Sequence, residues 1–100
     1  MTEQRKNQRY DLRLPCRIQR GAKPELIAET RNMSSSGVLF TSSGLVAVGE
    51  TIEYFVTFPT PPGAPAEVRL RCVGKVLRRE ERASFAATLE RYEFLRDPNN

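Results

Sequence analysis

The sequence predicts an all-β fold: a six-stranded antiparallel β-barrel, preceded by a short polar arm. Three observations lead there. Apolar residues recur at every second position through several short runs, and segments containing Gly or Pro separate the runs. No stretch carries the 3.6-residue period of a long helix. With 100 residues and 39% apolar content, the chain supports one domain with a modest core. Closure removes unpaired sheet edges, which favours a barrel over an open sandwich.

Residues 1–10 are polar, charged and aperiodic, and read as a flexible N-terminal arm. The barrel is expected over 11–95 and a tail over 96–100. In the first strand Leu12, Leu14, Cys16 and Ile18 alternate with Arg13, Pro15, Arg17 and Gln19. Pro15 cannot donate to a ladder, so this strand is placed near an edge. A turn at Gly21–Pro24 leads to a second strand over Leu26–Arg31. The segment from Asn32 to Gly37 is a turn by composition, and Val38, Leu39 and Phe40 mark the third strand. Ile52, Tyr54, Val56 and Phe58 define the fourth, alternating with Glu53, Phe55 and Thr57. The proline-rich loop from Pro59 to Pro65 is neither helix nor central strand, and a stiff hairpin connection is expected there. Val68, Leu70, Cys72, Gly74 and Val76 give a long fifth strand, with a bulge or tight bend expected at Gly74. Phe85, Ala87 and Leu89 carry the sixth, towards Arg91 and Tyr92. The segment after Glu93 allows at most a very short helix before Pro98.

Composition narrows the function. No apolar run reaches the ~18 residues of a membrane span, and the polar first residues do not resemble an export signal. A cytoplasmic location is therefore expected. Cys16 and Cys72 fall on the apolar phase of their strands and are expected to be buried free thiols. There is no histidine and no Cys-x-x-Cys pair, which argues against a metal site and removes the usual general base. No nucleophile–base pair or paired carboxylates stand out, so the chain reads as a non-enzyme needing no cofactor. The net charge is +4, and 13 of the 16 cations are arginine. That balance favours anionic partners, and arginine suits planar, bidentate recognition.

Two short motifs carry the chemistry. Arg5 and Arg9 form an Arg-x-x-x-Arg pair on the arm. The same spacing recurs at Arg9/Arg13, Arg13/Arg17 and Arg78/Arg82, so position rather than spacing distinguishes the first pair. On an arm, both guanidinium groups can swing onto a ligand and order with it. The second motif is Asn32-x-Ser34-x-x-Gly37, a spacing expected by chance on the order of once in twenty chains of this length. Taken alone it is an ordinary polar β-turn, with Asn32 in an Asx-turn and Gly37 at a left-handed φ. Taken together, the motifs offer guanidinium groups for phosphates and a guanine edge, and small polar groups that let a flat ligand approach the backbone.

The combination resembles the PilZ domain, a bacterial receptor for cyclic di-GMP. The family pattern places Arg-x-x-x-Arg ahead of the first strand and Asp/Asn-x-Ser-x-x-Gly between the second and third. The likeness extends over nearly the whole chain, including the Leu14–Ile18 strand, the Leu70–Val76 strand and the closing segment from Leu89 to Phe94. It implies that Arg5 and Arg9 clamp phosphates and a guanine edge, and that Asn32 and Ser34 hydrogen-bond guanine while Gly37 leaves room for the base. Gln4, just before the first arginine, and Arg78, at the end of the fifth strand, form a second tier of contacts. Asn32 stands where aspartate is commoner in the family, and a neutral acceptor binds guanine less strongly than a charged one.

The function so implied is a stand-alone receptor or adaptor. Cyclic di-GMP orders the arm against the barrel, and an unidentified downstream protein partner reads the new surface. Two alternatives are a barrel of the same kind that binds partners without a nucleotide, and a small nucleic-acid-binding barrel. The second needs exposed aromatic platforms, whereas Tyr54, Phe58 and Phe85 share the core phase, so nucleic acid is not the expected partner.

Overall fold

The computed structural model of the 100-residue chain describes residues 10–42, 44, 46–59, 62–63, 68–80 and 83–96. They form seven strands: β1 Pro15–Arg20, β2 Lys23–Met33, β3 Gly37–Ser42, β4 Thr51–Phe58, β5 Val68–Arg79, β6 Ser84–Thr88 and β7 Arg91–Arg96. Every pairing is antiparallel. The strand order β1-β2-β3-β6-β5-β4 returns to β1 and closes a six-membered ring. No described residue is helical, and no helix is long and apolar enough to cross a membrane.

The seventh strand is the expected sixth broken in two. After Thr88 the chain leaves β3 and pairs further down β5, so β6 covers Val76–Arg79 and β7 covers Val68–Val73. The residues read as the start of a tail or a short helical turn, Glu93 to Arg96, continue this ladder.

The core follows the alternation. Ile18, Phe40, Ile52, Tyr54, Val56, Cys72, Val76, Phe85 and Ala87 are essentially inaccessible. At its centre Phe40 meets Tyr54 edge-on at 4.9 Å and stacks on Phe85 at 5.0 Å. Cys16 and Cys72 are buried free thiols.

Four local expectations are revised. β1 is not an edge strand: it pairs with β2 and β4, and Pro15 is tolerated as its first residue, beyond the register with β4. The first turn is tighter than Gly21–Pro24, because Gly21 at φ +63° lets Lys23 and Pro24 join β2. At its other end β2 extends through Asn32 and Met33, which read as turn residues by composition. Gly74 is not a bulge, since its register with Ile52 is regular. A Cβ there would lie 1.8 Å from the Thr88 carbonyl oxygen, so Gly74 admits the backbone at the point where the sixth wall breaks.

Thr88 is tied from three sides. Its carbonyl accepts the Tyr54 hydroxyl at 2.9 Å. Its hydroxyl accepts the Lys75 amide and donates to Glu90, each at 2.9 Å. Gly74→Ala must therefore move backbone. It is expected to cost about 3 kcal/mol or more, read as a lowered urea midpoint with an unchanged slope; a cost below about 1 kcal/mol would contradict the close approach.

Burial also governs the thiols. Desolvation pushes Cys72 up to about 12 and, with the nearby Cys72 adding, pushes Cys16 higher still. Both folded values lie above the ordinary thiol value of 9.0, so the stability they contribute is complete below that pH and is lost as pH rises through the folded values. Raising the pH from 8 to 10.5 should lower unfolding free energy by about 4 kcal/mol, roughly half of it from each thiol. Cys16→Ala/Cys72→Ala should flatten that slope, measured by urea unfolding at each pH.

Candidate functional site

Period two alone would send Asn32 and Arg78 into the core. Along β2 the buried positions are Leu26, Ala28 and Thr30, and along β5 they are Leu70, Cys72, Gly74 and Val76. Each strand then breaks phase. In β2 the register steps from Thr30↔Phe40 to Asn32↔Leu39, so Arg31 and Asn32 together oppose one residue. In β5 it steps from Val76↔Ala87 to Arg78↔Ala86, so Leu77 and Arg78 together oppose one residue. Both are β-bulges, and a bulge re-aims the side chains that follow it.

The two bulges lie in one cross-strand row. Asn32 pairs with Leu39, Leu39 with Ala86, and Ala86 with Arg78. Three strand spacings separate the ends, roughly 14 Å along the sheet. Between them Leu39 is half-buried and Ala86 is small and buried, leaving a low apolar floor. Asn32, Ser34, Ser36, Gly37, Leu77, Arg78 and Glu80 complete the lining of a shallow cleft of about 200 Å³.

The turn after Asn32 closes one end of the cleft. The Ser34 amide donates to the Gly37 carbonyl at 2.9 Å, and the Ser34 hydroxyl lies 3.4 Å from the same oxygen. The Ser36 amide donates back to the Ser34 hydroxyl at 3.3 Å. Ser34 thus shapes the turn while retaining hydroxyl capacity for a further partner. Gly37 does not adopt a left-handed φ; among the described residues, positive φ is confined to Gly21, Gly49 and Gly63. A Cβ on Gly37 would lie 3.0 Å from the Ala87 carbonyl oxygen, so glycine here lets β3 approach β6 closely.

At the other end Arg78 is half-exposed and held by Glu80, whose Oε2 accepts from Nε at 2.9 Å and lies 2.6 Å from Nη2. An exposed pair of this kind contributes little to stability. The guanidinium is therefore pre-oriented at low cost.

Gln4, Arg5 and Arg9 lie outside the described residues. Where their segment joins the barrel is described. Tyr10 exchanges both backbone hydrogen bonds with Met33, at 2.8 and 2.9 Å. Behind it the buried Thr30 hydroxyl accepts the Leu14 amide at 2.9 Å and donates to the Leu12 carbonyl. Residue 9 is thus covalently attached one residue from a contact that is itself next to Asn32 and Ser34. A chain spans at most about 3.5 Å per residue, so Arg5 starts no more than about 18 Å from Tyr10.

The structure brings together Asn32, Ser34, Gly37 and Arg78, of which Arg78 had been set in the second tier. It adds Leu39, Leu77, Glu80 and Ala86, which the sequence reading did not single out. A signal was available: Asn32 and Arg78 are polar residues on an apolar phase, and Met33 is apolar off phase. No group of three or more His, Cys, Asp or Glu side chains fit to hold a metal occurs among the described residues.

Comparison with known proteins agrees with this architecture. Residues 3–98 match the family described as the PilZ domain. Among solved structures, the Bacillus subtilis inhibitor of motility (MotI/DgrA) superimposes with a TM-score of 0.69 at 17% identity, over 92% of this chain. The chain spans 44% of that protein's length. No curated protein matches the sequence.

Proposed function

Because the chain belongs to the PilZ domain family, we propose that it is a cyclic di-GMP receptor whose ligand lies in the cleft between the two bulges. The observation that carries this reading is the cross-strand row from Asn32 to Arg78, with the Tyr10–Met33 contact delivering the arginine-bearing segment to its edge.

Each residue then has a chemical task. The Asn32 carboxamide oxygen accepts from the N1–H and N2–H₂ edge of guanine, a donor pair that adenine lacks. Ser34 adds a hydroxyl contact, and the closely packed Gly37 keeps the turn low beneath the base. Arg78 releases Glu80 and stacks its guanidinium on a purine face. Arg5 and Arg9 close from the arm onto the phosphates and the guanine O6/N7 edge, as bidentate guanidinium groups do. Gln4, beside Arg5, bears on how many ligands are held.

Closure of residues 1–9 over the cleft changes the surface around Tyr10, and a downstream protein reads that change. Neither cofactor nor catalysis enters. The two buried thiols suit a reducing, cytoplasmic setting.

Calorimetric titration tests the reading. Cyclic di-GMP should bind with low-micromolar or tighter affinity, cyclic di-AMP should not bind, and Arg5→Ala/Arg9→Ala should abolish the heat. Absence of binding by the unaltered chain at high protein concentration would sink the proposal. A charged acceptor makes the stronger hydrogen bond to guanine, so Asn32→Asp should tighten binding about fivefold, equivalent to about 1 kcal/mol. An unchanged or weaker affinity for that variant would remove Asn32 from the guanine edge.

A further inference from the structure

Among the described residues, every strand of the ring is paired on both sides, and β7 alone is paired on one. Unpaired edges are sites of strand addition unless Pro, Lys, a bulge or a covering element blunts them. β7, Arg91-Tyr92-Glu93-Phe94-Leu95-Arg96, contains no Pro or Lys, and its register with β5 is regular from end to end.

Its faces are unequal. Tyr92 and Phe94 oppose Cys72 and Leu70, so they lie on the side that faces the barrel interior elsewhere. Here they are 61% and 66% exposed. The two rings contact each other at 6.4 Å, and Phe94 contacts Phe58 at the same distance. They border an open groove of about 280 Å³ whose other walls include Tyr10, Leu12, Met33 and Leu89. Tyr10, Leu12, Tyr92 and Phe94 account for four of the seven exposed large hydrophobics, which concentrates the uncovered apolar surface at one mouth of the barrel.

We propose that β7 is a dimerisation edge, pairing antiparallel with β7 of a second copy about a two-fold axis through Glu93. The register follows from the strand itself. Keeping both aromatic faces on the same side requires opposed residues of equal parity, and centring on Glu93 sets Tyr92 against Phe94 twice. Aromatic cross-strand pairs are among the stabilising ones. The two Glu93 carboxylates meet on the other face, each beside an Arg71 guanidinium that it shares with Glu53, Nη1 lying 3.5 Å from Glu93 Oε2. An isologous edge of this kind closes on itself and leaves no further strand to extend.

The proposal is independent of any nucleotide, so its failure and that of the receptor reading are separable. Sedimentation of the unliganded chain from micromolar to millimolar concentration should show a monomer–dimer equilibrium. Phe94→Lys should weaken the dimer at least tenfold while circular dichroism and the thermal midpoint report an intact fold. Under oxidising conditions Glu93→Cys should give a disulfide-linked dimer, since directly opposed residues have Cα atoms about 4.5–5.5 Å apart. Arg17→Cys, exposed on β1, should not. The native thiols are buried and do not compete. A monomer at millimolar concentration would overturn the proposal and leave the edge to a different chain. A dimer insensitive to Phe94→Lys, or one without the Glu93→Cys cross-link, would place the contact on another face.

Discussion

The close contact between Gly74 and Thr88 is the constraint on which the rest of the barrel depends. β5 is twelve residues long, and no single strand accompanies it along its full sixth side. The wall has to break, and it breaks where a missing side chain lets the Thr88 carbonyl approach β5. Tyr54, at the centre of the core, reaches the same carbonyl with its hydroxyl. A buried hydroxyl without a partner would be costly, so the aromatic core and the wall break satisfy each other. That contact fixes the register of β6 above it and of β7 below.

Fixing β6 in turn fixes the cleft. Ala86 lies opposite both Leu39 and Arg78 only because β6 is held at Thr88 and steps past Leu77. The bulge at Arg31 repeats the device on the far strand and turns Asn32 outward. Polar side chains come to the surface of a small barrel at the cost of two interrupted ladders, while Met33 and Val76 remain in the core. The same geometry explains why the apolar floor is shallow: Leu39 is only half-buried, and Ala86 is too short to rise from it.

Much of this was legible in the chain. The alternations in β1, β4 and most of β5 gave both the strands and their buried faces, because each has one face in the core and period two is then enforced. The match of residues 3–98 to the PilZ family agrees with the resemblance carried by the two motifs. The strand ends were less legible. Asn32 and Met33 carry turn-like composition, yet their backbone groups are taken up by β3 and by Tyr10, a tertiary demand that composition does not report. Gly74 showed that something had to come close, and only the register shows that it is Thr88. Arg78 was hardest to place, because its role follows from a bulge whose partner strand is distant in sequence. The phase breaks themselves were visible; what was missing was the rule that a polar residue on an apolar phase, followed by a return of phase, marks an outward turn.

The cleft and the groove beside β7, which share Ser34, differ in how their surface is completed. In the cleft Arg78 is already paired with Glu80, so a ligand that engages it must replace an existing ion pair with a better one. Charged, multidentate ligands meet that condition more readily than neutral ones. The groove beside β7 instead presents exposed rings and, among the described residues, an unpaired strand edge. Tyr10 belongs to both, since it lines the groove by side chain and holds Met33 by backbone. Through Tyr10 the groove and the strand that carries Asn32 therefore share one contact.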